Sequence, residues 1–198
     1  MPPEPRFVPR FAAESPQEPL PYGRWADTLR AELLAATLAL GDDIGEPGDI
    51  VWFPDRTYAG RTYVPATART STGLELFGYV SYGVTDEPGE FTAVADVTEQ
   101  VAEAHPEWKI DLCDEVVGAW RGEQGKVAQM TLVWGVPLVD GAGVATAELA
   151  RLVVDQCELI ENRFTLLAPD DYRGDTLDVR VWDGRGNELA VESLYEED

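Results

Sequence analysis

Between Trp25 and Leu40 apolar side chains recur every three or four residues, at Trp25, Leu29, Leu33, Ala36 and Leu40. That is the period of one helical face, and Gly41 stands where a left-handed residue would stop it, so the spacing predicts a helix over 24–40. The period then falls to two. Ile50-Val-Trp-Phe53 reads as a short strand ended by Pro54, followed by a loop with Gly60 at its tip. Residues 61–70 read as a strand interrupted by Pro65, which is tolerated at an edge or a bulge. Leu74, Leu76, Gly78, Val80, Tyr82 and Val84 alternate with Glu75, Phe77, Tyr79 and Ser81, and Phe91, Ala93, Ala95 and Val97 form the next apolar face. With turn chemistry over 85–90, residues 61–97 are predicted to form a three-stranded antiparallel meander.

Asp96 and Glu99 have the spacing of a capping box, and Val97, Val101 and Ala104 supply one face of a short helix over 97–105 that Pro106 ends. A long hairpin over 108–138 follows, turning at Gly122-Glu-Gln-Gly125, with Ile110, Leu112, Val116 and Trp120 on its outgoing strand. The return strand alternates at Ala128, Met130, Leu132, Trp134, Val136 and Leu138. Leu149, Leu152, Val153, Cys157 and Ile160 line one face of a predicted helix over 146–162. Phe164-Thr-Leu-Leu167 is a short strand, and Leu177, Val179, Val181 with Leu189, Val191, Leu194 form a final hairpin around Asp183-Gly-Arg-Gly-Asn187. Seven prolines in residues 1–22 exclude helix and central strand and predict an extended arm. Its Phe7, Val8 and Phe11 are expected to dock on the domain or on a neighbouring subunit, the alternative being a disordered tail. The expected architecture is α+β: a twisted antiparallel sheet with helices packed on one face, the arm at 1–22 and a single domain over 23–198. Its core is 24–165, with a C-terminal hairpin addition over 166–198.

Charge narrows the function. With 37 acidic and 15 basic residues the chain carries −22, so release of counterions from phosphates is unavailable to it and a nucleic-acid partner is excluded. Anionic lipid headgroups are repelled for the same reason, and no apolar run approaches the roughly 20 residues of a membrane span. An acidic surface that mimics a phosphate backbone, or inhibits a basic target, is the inverse possibility; solubility is the plainer one. The first ten residues lack the basic and apolar segments of a secretory signal, which points to the cytoplasm. Cys113 and Cys157 lack metal-ligand spacing and read as two buried thiols rather than a bridge.

Candidate chemistry is thin. His105, the single histidine, precedes Pro106 and reads as an ordinary exposed residue, and none of Ser15, Ser71, Ser81 and Ser193 lies in a nucleophile elbow. Gly141-Ala-Gly143-Val-Ala-Thr146 has the look of a dinucleotide loop, but the final glycine and the later acidic residue are missing, so a turn leading to a Thr cap is the better reading. Asp42, Asp43, Glu46 and Asp49 share a Gly-rich loop without the spacing of a calcium loop. Asp111, Asp114 and Glu115 offer an acid/base pair only if one of them is desolvated. Asp170-Asp171 and Asp86-Glu87 read as solvated loop charges. No metal and no cofactor is implied.

Trp52, Phe53, Tyr58 and Tyr63 gather around the first short strand, and Phe77 and Tyr79 occupy the second face of the meander. Either the arm and the C-terminal hairpin cover that face, or these six aromatics form a partner surface. The order helix, three strands, short helix, long hairpin, helix resembles the αβββαββα layout of secretion-chaperone-like domains, a family that includes the Tir-type chaperones of bacterial secretion systems. That resemblance implies homodimerisation, no catalysis and binding of extended segments of another protein. It covers about 140 residues and carries over no site residue. The sequence thus points to a non-enzymatic acidic domain that binds another protein or its own copy. A small-molecule site or carboxylate-based enzyme with a pocket between sheet and helices is the alternative, and an inhibitor or immunity protein of a basic target a third.

Overall fold

The computed structural model describes residues 25–83, 90–121, 127–170 and 175–194. The arm at 1–22, Val84, the turn chemistry of 85–89 with Asp86-Glu87, the turn at 122–125, Asp171 and the last four residues lie outside them. Helix α1 (Ala26–Leu38) forms as its spacing predicts, burying Leu29 and Leu33, while Thr37 donates its hydroxyl to the Leu33 carbonyl at 2.9 Å. Its buried stripe packs on Val64, Ala66 and Val80 of the first sheet. That sheet runs β1 (Val51–Trp52), β3 (Arg61–Arg69), β4 (Glu75–Gly83), β5 (Thr92–Thr98), with β2 (Arg56–Tyr58) beside β1 on the same edge of β3. The predicted meander is therefore β3–β4–β5. Pro65 pairs with Tyr79 of β4 and on its other side faces the interruption between β1 and β2, so its missing N–H faces no ladder partner while its carbonyl accepts the Phe53 amide at 2.9 Å. Gly78 permits the crossing with β5, because a Cβ there would stand 2.1 Å from the Val94 carbonyl oxygen.

The second sheet has the order β10 (Phe164–Asp170), β7 (Val127–Pro137), β6 (Ile110–Arg121), and the third β12 (Glu188–Ser193), β11 (Leu177–Asp183), β8 (Ala142–Leu149), β9 (Leu152–Glu158). The sheets stack. Met130, Leu132, Trp134 and Leu167 of the second meet Phe53, Tyr63 and Tyr79 of the first, while Val133, Phe164, Leu166 and Ala168 meet Ala145, Ala147, Leu177, Val179 and Val181 of the third. Covered on both faces, β10 is buried at all seven positions, like a central strand of a parallel sheet although its partner is antiparallel. A bulge at Val117 shifts the register of β6, so Val117 packs inward and Val116, expected inside, is half exposed.

The expected α+β fold with helices on one face of a sheet is overturned: among the described residues the chain has one α-helix and twelve strands in three antiparallel sheets. Residues 146–162 are not a helix. They belong to a hairpin, β8 and β9, whose Leu149 and Leu152 pair across Ala150-Arg151. Ala, Leu, Glu and Arg gave this stretch helical propensity, but Ala145, Ala147 and Leu149 alternate as well as they spiral, and burial of the second sheet rewards the alternation. Its turn carries no glycine or asparagine, although both central residues are left-handed, with φ 51° and 65°. The helix expected over 97–105 is likewise a strand end and a single 3-10 turn, Ala102–Ala104. Asp96 accepts the Val97 amide at 2.8 Å and Thr98 the Gln100 amide at 3.0 Å, so the apparent capping box is local turn chemistry. The Gly141 loop opens no helix either: Thr146 sits in mid-strand and its hydroxyl accepts Trp182 Nε1–H at 2.8 Å.

One ion pair joins all three layers. Arg56 of β2, 3% exposed, is paired with Asp155 of β9, whose other carboxylate oxygen accepts the Leu167 amide of β10 at 2.8 Å. Burial raises the Asp155 pKa, against the pull of the guanidinium and of its hydrogen bonds. Removing either partner leaves a buried charge alone, so Arg56→Met and Asp155→Leu are each expected to cost about 3–5 kcal/mol in urea unfolding. The double variant is expected to cost less than the sum; strict additivity would show that the pair is not a unit. At the β8–β9 turn, Ala150→Asn with Arg151→Gly should raise the melting temperature by about 2–4 °C by relieving two left-handed residues.

Candidate functional site

The six aromatics proposed from sequence spend their surface inside the chain. Phe53, Tyr63 and Tyr79 are buried against the second sheet, Tyr63 and Tyr79 meeting edge to face at 5.7 Å. Tyr58 and Phe77 pack at the margin of that core, and half-buried Trp52 lies on the other face, under α1. The second face of the meander is covered by the hairpin β6–β7 and β10, not by the C-terminal hairpin. Cys113 and Cys157 are free thiols in different layers, one facing each core, and burial raises both pKa values, that of Cys157 to about 11.

A cleft opens where the three sheets meet. Between the first and second sheets it has about 210 Å³, walled by Glu75 and Phe77 of β4, Trp108, and Asp111 and Cys113 of β6. Between β6 and β12 it widens by about 460 Å³, past Ile110, Leu112, Asp114, Glu192 and Leu194. Gln100, Trp108, Leu112 and Asp114 border both parts. Local sequence explains the positions. In β4, Glu75 shares the aromatic face with Phe77 and Tyr79, so the pleat carries its carboxylate inward. In β6, Asp111 and Cys113 point toward the first sheet and Leu112 toward the third. Gly135 of β7 lets β6 approach: a Cβ there would lie 2.4 Å from the Asp111 carbonyl oxygen. Trp108 is held by the stacked His105 ring, 4.4 Å away and 7° from parallel, and by its amide bond to the His105 carbonyl at 3.0 Å.

The cleft is electrostatically strained. Burial, and then the charge of Asp111, push the Glu75 carboxyl up to about 7, against Arg69 at 3.9 Å. Arg69 is shared with Glu103, to which it is hydrogen-bonded, and reaches the Gly73 carbonyl at 3.5 Å. Burial and the Glu103 charge raise the Asp111 pKa as well. One guanidinium thus serves three carboxylates. Near neutral pH Glu75 can hold or release a proton, and the pair Glu75–Asp111 can either exchange protons with a ligand or accept a cation.

Of the three acidic residues singled out in β6, the cleft takes Asp111 and Asp114; Glu115 lies further along the strand, beside Asp96 and Asp114. Glu75, Trp108 and Glu192 were not foreseen. The one signal for Glu75 was a carboxylate in register with Phe77 and Tyr79 on an otherwise apolar face. Asp170, expected in solvent, is buried at the end of β10 and accepts the Leu177 amide at 2.9 Å. The loop of Asp42, Asp43, Glu46 and Asp49 is tied to the turn at 70–73, with Glu46 and Ser71 exchanging bonds of 2.9 Å. Among the described residues no group of three or more His, Cys, Asp or Glu is arranged to hold a metal ion, and no helix is long and apolar enough to cross a membrane. No family model, no curated protein and no solved structure matches the chain, so its function is read from this site alone.

Glu75 has a higher pKa folded than unfolded, so between about pH 4.5 and 7 the native state binds more protons and stability falls as pH rises through that window. The wild type is expected to melt higher at pH 5.5 than at pH 8. Glu75→Gln should melt above wild type at pH 8 and level with it at pH 5, giving a shallower slope by differential scanning fluorimetry.

Proposed function

We propose that this chain is a non-catalytic binding protein that takes a basic segment of another protein in the cleft between β4, β6 and β12. The observation that carries the reading is the lining: Glu75, Asp111, Asp114 and Glu192 stand around Trp108, and the described residues that border the cleft include no lysine or arginine. A cation entering it offsets the burial and the Asp111 charge that raise the Glu75 pKa, and meets an aromatic ring already held in place. The charge of −22 adds long-range attraction for a basic partner and repels the anionic polymers and surfaces excluded by composition. The reading keeps the cytoplasmic setting expected from the sequence, and replaces the aromatic sheet face by the cleft as the partner surface.

A second reading is favoured by one observation, the proximity of Glu75, poised near neutral pH, to Asp111: a small molecule is bound there and worked on by the two carboxylates as acid and base.

Native mass spectrometry of the protein purified at low salt from its own host separates the two. The expected spectrum is 21.8 kDa plus a second, basic polypeptide that dissociates at about 0.3 M salt and is absent from Asp114→Lys/Glu192→Lys. A retained compound of a few hundred daltons, lost in Glu75→Gln, would install the second reading in its place.

A further inference from the structure

On the outer side of the first sheet, the last turns of α1 and the loop over 41–47 border a groove of about 750 Å³. Leu34, Leu38, Ile44 and Pro47 give it apolar walls, and Asp42 and Glu46 stand along it with negative charge. Leu38 is 81% exposed, more than any other large apolar side chain among the described residues. The wall opposite α1 is fixed in place. Glu46 and Ser71 exchange two bonds of 2.9 Å, Thr72 donates its hydroxyl to the Ile44 carbonyl, and Gly45, at φ 79°, passes so near Ser71 that a Cβ would lie 2.4 Å from its Oγ. A preformed groove with an apolar side chain left in water gains stability from any segment that fills it.

We infer that residues 6–11 of the same chain dock in this groove and cover it. The chain outside the described residues joins α1 at its first turn, and the groove lies at the last turns of the same helix, about 20 Å away at 1.5 Å per residue. The 14 residues from Phe11 to Arg24 span up to about 43 Å at roughly 3.1 Å each, so the segment reaches the groove with length to spare for the turn back along α1. Charge fits as well. Pro5-Arg-Phe-Val-Pro-Arg-Phe-Ala-Ala13 carries two arginines and no carboxylate, whereas between Ala31 and Asp55 there is no lysine or arginine and the loop presents Asp42, Asp43, Glu46 and Asp49. Phe7, Val8 and Phe11 supply the apolar side chains, and the prolines among them lower the ordering entropy lost on docking. Attachment to α1 keeps the segment near the groove at an effective concentration on the order of 1 mM, which favours it over a free partner. This docking is independent of the cleft and of the partner proposed there.

The test compares the full chain with its Phe7→Asp/Phe11→Asp variant, by amide exchange and by titration with a fluorescent peptide of residues 1–13. Residues 39–46 are expected to exchange about tenfold faster in the variant while β7 and β10 keep their wild-type rates. The peptide is expected to bind the variant at least about tenfold more tightly than the wild type, whose own arm competes. Adding Leu38→Lys to the variant, at an exposed position where a cation suits the helix C-terminus, should abolish that binding. Equal exchange and equal peptide affinity in the two chains would overturn the docking, and so would peptide binding that survives Leu38→Lys. Faster exchange at 110–114 in place of 39–46 would put the arm in the cleft. A dimer that the variant dissociates, seen by native mass spectrometry, would put it on a neighbouring copy, and either result overturns the inference.

Discussion

A three-stranded sheet that must be covered on both faces organises this protein. Strands β7 and β10 carry apolar side chains on both sides, Met130, Leu132, Trp134 and Leu167 toward one neighbour and Val133, Phe164, Leu166 and Ala168 toward the other. Left open on either side, that sheet would expose a large apolar surface, at about 25 cal/mol for each Å². The first sheet and the hairpins of the third are therefore held as lids on a common core, and α1 covers what remains of the first sheet. Layers of this kind meet through apolar contacts that have little directional preference. The buried Arg56–Asp155 pair supplies direction, because it links β2, β9 and the backbone of β10 in one geometry.

The same stacking creates the cleft. Sheets of unequal length cannot cover one another to their ends, and the end at which β4, β6 and β12 diverge leaves Glu75, Asp111 and Asp114 around a partly dry space. Arg69 is shared by Glu75, Asp111 and the exposed Glu103, and burial withdraws water from Glu75 and Asp111. A fold built for stability alone would place apolar or uncharged side chains there. Such a gathering of partly buried carboxylates in a concave, aromatic-walled place is a reason to read the cleft as a binding site.

Alternation and helical spacing made much of the fold legible: α1, the meander β3–β4–β5, the hairpins β6–β7 and β11–β12, and β10 all lie where the pattern placed them. These segments have one period or punctuation that admits one reading. Residues 146–162 have two readings, since Ala145, Ala147 and Leu149 satisfy period two while Leu149, Leu152, Val153 and Cys157 satisfy a helix, and the turn Ala150-Arg151 lacks the glycine that would have announced it. Contact with the buried second sheet settled the matter, and that contact is remote in sequence. The site divides in the same way. The sequence established an excess of negative charge, the absence of nucleophile and phosphate-loop motifs, and a carboxylate-rich β6. Which carboxylates are desolvated, and that Glu75 comes to Asp111 while the six aromatics turn inward, depended on how three sheets stack, because burial and proximity between distant segments are properties of the packed chain and not of any stretch of it.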